Sequence, residues 1–226
     1  MNFLQICQRV RQEAGISGTG PASVTNQTGE MARVVDWVKA AYEDIQNLHD
    51  NWKFMRREFT FPTIAGNPVY LPSAISLDEF GRWRRDEQWR CYLTSVNDEL
   101  RMTHWDDWDC FRESRLYSVN RSTQGRPIDV AIRPNDDAIY LWPTPNNIFT
   151  ITGDYYIRPH VMAANSDEPI FPREFHMLIV WRAILFYAPY EAAPERYAQA
   201  NTEHKRLLAA LRRKWLPEIK LGGPLA

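Results

Sequence analysis

The sequence predicts an α+β chain: an antiparallel helical bundle made from its N-terminal and C-terminal helices, with a β-rich antiparallel sheet or sandwich domain inserted between them. Three observations predict it. Apolar residues recur at helical spacing in the N-terminal part; from Arg57 the period shortens to alternating runs broken by Pro, Gly and Asp; and after Pro169-Ile170-Phe171-Pro172 the helical spacing returns. The boundaries that follow are a helical part over 1–55 and 165–217, a β-rich insertion over 56–164, and a tail over 218–226 that has no packing pattern and is expected to be flexible.

In the first helix Phe3, Cys7, Val10 and Ala14 share a face, and Gly15 is suited to a left-handed C-terminal cap. The small and polar run Ile16 to Gly29 reads as an exposed loop. Met31, Val34, Val35, Val38, Tyr42, Ile45 and Leu48 form the stripe of a second helix, with Thr28 placed to cap it and Glu30 favourable at the positive end of its dipole. In the last third, Phe175, Leu178, Ile179, Trp181, Arg182, Leu185 and Phe186 read as a central helix stopping before Pro189. Pro194 opens a further helix, whose stripe is Tyr197, Ala200, Asn201, His204, Leu207, Leu208 and Leu211 and which ends before Pro217.

Between them, strands are expected near 57–61, 68–71, 80–85, 89–94, 99–103, 127–132, 138–142 and 148–158. Turn residues at 133–137 and 143–147 join the last three as a meander. His104 to Glu113 interrupts the alternation and reads as a short helix with Trp105, Trp108 and Phe111 on one side.

Lys and Arg total 27 against 28 for Asp and Glu, so any electrostatic function must come from local clusters. Cys7, Cys91 and Cys110 are odd in number and lack metal-ligand spacing, as expected of free thiols in a reducing compartment. Polar residues interrupt the N-terminal stretch where a secretory signal needs an apolar run, and Met177 to Pro189 is short of the ~20 residues of a bilayer span, so no membrane partner is expected. Nine Trp with ten Tyr and ten Phe suggest subunit interfaces as well as a core.

The most enzyme-like constellation is His104 with Asp106, Asp107 and Asp109, an imidazole and carboxylates of the kind that hold a hard cation or exchange protons. Against it, Asp is common at loops and helix starts, and further ligands are not identifiable. Nucleophile-elbow, phosphate-loop and dinucleotide-turn patterns are absent, so neither a catalytic site, a metal nor a cofactor is assigned. His49, His160, His176 and His204 read as surface or half-buried residues. The basic cluster Lys205, Arg206, Arg212, Arg213, Lys214, with Trp215 and then Lys220, is the candidate contact to a DNA channel or an acidic partner, because a ring would repeat it as a collar. Trp83, Arg84, Arg85, Trp105 and Trp108 are the candidate interface to another subunit or, as the resemblance given next implies, to the tail.

The opening Met1 to Val10, the linker Thr19 to Gly29, the segment Asn51 to Phe61 and the segment Pro169 to His176 together resemble head-to-tail adaptor proteins of tailed bacteriophages. The likeness is to the adaptors of short-tailed phages, including the tail tubular protein A type. The resemblance implies a structural virion protein at the head–tail junction, assembled in the host cytoplasm and without enzymatic activity. Its implied partners are the portal protein, tail or nozzle proteins, further copies of itself in a ring that is typically a dodecamer, and genomic DNA in transient, non-specific contact. A tail-completion or baseplate component is the structural alternative, and a metal-dependent phage hydrolase or nuclease built on His104, Asp106, Asp107 and Asp109 is the enzymatic one.

Overall fold

Phe3, Ile6, Cys7, Val10 and Ala14 are the buried residues of α1 (Phe3–Ala14), spaced three and four apart as one helical face requires. Asn2 opens the helix with a reciprocal cap: its side chain accepts the Gln5 N–H at 2.9 Å while Gln5 Oε1 accepts the Asn2 N–H at 3.0 Å. Gly15, at φ 78°, closes it in the left-handed region that suits glycine. The computed structural model describes residues 1–217 except 19, 87, 94–97 and 118. The expected tail 218–226 therefore lies outside the described residues.

The chain divides into two compact units, Met1–Met55 with the chain from Pro159 onward, and Arg56–Arg158. In the first, α2 (Gly29–Asn47) buries Val34, Val35, Val38, Ala41, Tyr42, Ile45 and Gln46. Two expectations for this helix fail. Thr28 occupies the N-cap without a side-chain capping bond, because Gly29 at φ 60° takes the backbone off the path that brings a cap side chain over the first N–H groups. Leu48 is 43% exposed, since it lies beyond the last helical turn.

The helix α4 (His176–Tyr190) packs against α1, α2 and α5 (Pro194–Trp215). It runs through Pro189 rather than stopping before it. A proline so near the end removes little of the helical ladder, and the last turn is held by Glu191 N–H to the Tyr187 carbonyl at 3.1 Å and Ala193 N–H to the Ala188 carbonyl at 2.9 Å. On α5 the buried stripe is Ala200, His204, Leu208 and Leu211. Tyr197, expected there, is 45% exposed, because the first turns of α5 are exposed throughout. At the end of α2, the Trp52 Nε1–H donates to the Ile45 carbonyl at 3.2 Å, satisfying one of the carbonyls that a helix end leaves open.

The second unit contains β1 (Arg56–Pro62), β2 (Val69–Tyr70), β3 (Phe80–Trp83), β4 (Arg90–Leu93), β5 (Asp98–Arg101), β6 (Thr103–Trp105), α3 (Trp108–Phe111), β7 (Gln124–Gly125), β8 (Asp129–Ile132), β9 (Ile139–Trp142), β10 (Thr144–Pro145) and β11 (Thr150–Ile157). One sheet has the order β1-β11-β4-β5, antiparallel at each step, with β3 also on β11; a second has the order β2-β9-β8-β6. Two pairings depart from the expected antiparallel pattern: β6 with β8 and β7 with β10 are parallel.

The meander also ends sooner than expected. β8 and β9 form the hairpin, but β11 crosses to the other sheet, where it pairs with β1 from Arg56↔Tyr156 to Pro62↔Thr150. That ladder runs almost the full length of β11, which the four-residue β9 cannot match. Gly153 is required on β11, since a Cβ there would stand 2.6 Å from Trp89 Cδ1 and 2.9 Å from Phe59 Cζ. The expected helix over His104 to Glu113 is shorter: His104 and Trp105 are on β6, α3 covers only Trp108–Phe111, and a π-helical stretch Arg112–Leu116 follows.

Candidate interaction surfaces

Helical geometry sorts the basic cluster. Lys205, Arg206, Arg212 and Arg213 are exposed on the side of α5 opposite its buried stripe, as separations of one and seven residues dictate. Arg206 pairs with Glu203 at 2.7 Å, whereas Lys205, Arg212 and Arg213 have no ion pair among the described residues. Lys214 leaves the stripe and pairs with Glu174 at 2.7 Å. Trp215 turns inward, its ring 6.1 Å from Phe54 and its Nε1 buried without a hydrogen-bond partner. Lys220 lies outside the described residues.

The base of α5 is unfavourable to further positive charge. Burial, with Arg182 and Arg212 nearby, pushes His204 down to about 4, and burial with Arg212 also lowers His49. His204 is 8% exposed and His176 only 1%, so neither is the surface or half-buried residue expected from the sequence. Both lie on inward faces of their helices.

The second candidate surface changes more. Trp83 is 3% exposed; its Nε1–H donates to the Asp137 carbonyl at 2.7 Å, and its ring stands edge-on to Phe59 and Trp89 at 5.1 and 5.2 Å. It is a core residue of the β-rich unit and presents no ring to a partner, because on β3 it faces the sheet interior. Arg84 is half-buried and braces Asp154 and Asp86, each at 2.9 Å. Arg85 is exposed.

Trp105 and Trp108 are half-buried parts of an aromatic and arginine stack that the sequence reading did not assemble. The Arg115 guanidinium lies 4.0 Å from the Trp142 ring centroid and 5.3 Å from that of Trp105. It also pairs with the buried Asp129 at 2.8 Å. Trp108 stands edge-on to Tyr140 at 4.7 Å, and Arg133 covers the other ring contact of Tyr140 at 5.1 Å. The signal was present in β9, where Ile139 and Leu141 point inward and Tyr140 and Trp142 alternate with them. Arg115 carried no such signal, because its position depends on the π-helical stretch.

The proposed acid and imidazole constellation is dispersed in role. His104 is edge-on to Trp89 at 4.8 Å, and burial with Arg85 nearby pushes it down to about 4. Asp107 caps α3 by accepting the Asp109 and Cys110 N–H groups at 2.8 and 3.1 Å, which lowers its carboxyl below the usual range. Among the described residues no group of three or more His, Cys, Asp or Glu is placed to hold a metal ion, and no helix is long and apolar enough to cross a membrane. All three thiols are free, Cys7 and Cys91 buried and Cys110 exposed.

No curated protein matches the chain. A family model does, that of the SU10 adaptor protein, over residues 1–221. A match across nearly the entire sequence, on a helical unit interrupted by a β-rich one, places this chain in the SU10 adaptor protein family.

Proposed function

We propose that the protein is a head-to-tail adaptor that docks as a ring beneath the phage portal, joins it to the tail, and forms part of the channel through which DNA leaves. Family membership over residues 1–221 carries this reading. The exposed basic stripe of α5 supports it: a ring repeats Lys205, Arg206, Arg212 and Arg213 around the axis, and a collar of that kind meets phosphates or an acidic portal surface without reading sequence. Its DNA contact is transient and salt-sensitive. Tail or nozzle proteins are the partners at the other end, and assembly takes place in the host cytoplasm before the virion is complete.

Light scattering coupled to size exclusion tests this, on the protein alone and after mixing with its portal. A ring, or a stoichiometric complex with the portal, is the expected result. A monomer that ignores the portal overturns it.

A further inference from the structure

The sheet β1-β11-β4-β5 ends in two strands with no strand partner on their outer sides among the described residues. Which backbone groups face outward follows from the ladders. Thr63 N–H donates to the Phe149 carbonyl at 2.7 Å, extending the β1–β11 register by one residue. In an antiparallel ladder bonded and non-bonded pairs alternate, so Phe61 and Phe59 bond inward to β11, while Glu58 and Thr60 aim their N–H and C=O groups outward. Pro62 agrees with this parity, since it falls at an outward position where a missing N–H costs the ladder nothing. At the opposite end, Met102 N–H donates to the Trp89 carbonyl at 2.8 Å, and the same alternation leaves Glu99 and Arg101 facing outward from β5.

These two edges fit each other. Because every step of β1-β11-β4-β5 is antiparallel, β5 runs opposite to β1, and a rotated copy that brings its β1 beside β5 meets it antiparallel. Pairing outward residue with outward residue sets Glu58 against Arg101 and Thr60 against Glu99. The first is an opposite-charge pair, and the intervening Phe59 and Leu100 both face the core side of their sheets. Glu58, Thr60, Glu99 and Arg101 are all exposed, Glu99 being held by Arg90 at 3.1 Å from the neighbouring strand. Open strand edges are templates for strand addition, here over the seven residues of β1 and the four of β5.

We propose that β1 of one copy adds to β5 of the next, making a sheet that continues from subunit to subunit. The interface is heterologous, using two different edges, so it builds a ring where the rotation between copies closes and an open filament where it does not, and never a two-fold dimer. This inference rests on the adaptor-ring reading and supplies one of its contacts.

The test introduces Thr60→Cys and Glu99→Cys together in a Cys110→Ser background, assembles the protein with its portal, and oxidises it mildly. A directly opposed, bonded pair has Cα atoms about 5.5 Å apart, within the disulfide range of about 4.4–6.8 Å. The expected result is a ladder of covalent oligomers on a non-reducing gel, with neither single-cysteine variant giving one. A ring of correct mass that shows no ladder overturns the strand pairing and leaves the adaptor reading standing; dimers from Thr60→Cys alone overturn it in favour of β1 pairing with β1. Failure of all assembly overturns both. Independently, Thr60→Pro removes an N–H that β11 does not use. The isolated chain is expected to keep its circular dichroism and unfolding midpoint while association weakens at least about fivefold per interface; an unchanged ring yield counts against the pairing.

Discussion

Replacing Arg115 by Met is expected to destabilise the β-rich unit by about 3–5 kcal/mol, the usual cost of leaving one member of a buried ion pair behind. Asp129 is 5% exposed, and Arg115 reaches its Oδ2 with Nε at 2.9 Å and Nη2 at 2.8 Å. Met keeps an apolar stem against Trp105 and Trp142 but strands the carboxylate inside β8. The lost guanidinium contacts with those rings add about 0.5–2 kcal/mol, toward the lower end because Arg115 is partly exposed.

With a urea slope of about 2 kcal/mol per molar, a loss of about 4 kcal/mol lowers the unfolding midpoint by about 2 M. Equilibrium urea unfolding, followed by circular dichroism and by tryptophan fluorescence, reads this. The double variant Arg115→Met/Asp129→Val removes both charges and is expected to recover most of the loss, since a buried pair is often no better than apolar residues of similar volume. A single variant that loses less than about 1 kcal/mol, or a double variant no better than the single, refutes the reasoning.

Acid should weaken the fold earlier than carboxylate titration alone requires. His49, His104, His176 and His204 are all held below the usual imidazole value, chiefly by burial, with His104 and His204 near 4. A lowered imidazole is neutral in the folded chain, so the unfolded chain takes up protons first; stability present above about pH 6.5 is lost as pH falls toward 4. Urea midpoints between these limits are expected to decline, and His104→Gln with His204→Gln to flatten the decline; an already flat wild-type profile contradicts it. Trp52→Phe is expected to cost about 1 kcal/mol more than Trp215→Phe, because only Trp52 uses its Nε1–H on a helix carbonyl, and equal thermal shifts for the two would argue against this. Arg212→Gln with Arg213→Gln is expected to reduce the slope of log affinity against log salt for duplex DNA by about 0.9 per lost phosphate contact, with Arg206→Gln doing less because Glu203 already holds it; a salt slope indifferent to all three removes α5 from the contact.

The helices were legible because their signals are local. A face of Phe3, Val10 and Ala14 followed by Gly15 requires nothing from elsewhere in the chain, and the same holds for Pro194 at the first turn of α5. Most strand positions were legible too, apart from the short β6, β7 and β10, but the pairing partners were not. β11 reads like the third strand of a meander, and only a comparison of ladder lengths with β1, residues away in sequence, explains why it crosses to the other sheet. The basic stripe of α5 was visible as a cluster, and the helical period separates Lys214 and Trp215 from it once the buried side is known. The arginine stack was not visible, because Arg115 reaches Trp142 and Trp105 through a π-helical stretch that has no sequence signature of its own.

The tryptophans divide between the two roles that composition suggested, subunit interfaces and a core. None of the nine is exposed: Trp52, Trp83, Trp89 and Trp181 are buried and the other five half-buried. Two small units that must each close their own core need large side chains, since a small domain buries proportionally less surface than a large one. The tryptophans are thus largely consumed in folding each unit, while Tyr117, Tyr190 and Tyr197 stay exposed. Also open to partners are a basic stripe on α5 and the backbone edges of β1 and β5. Contacts made of charge and main-chain hydrogen bonds are individually modest and depend on salt and on repetition. The proposed ring would supply the repetition, making stable in many copies an interface that a single pair of subunits would hold only weakly.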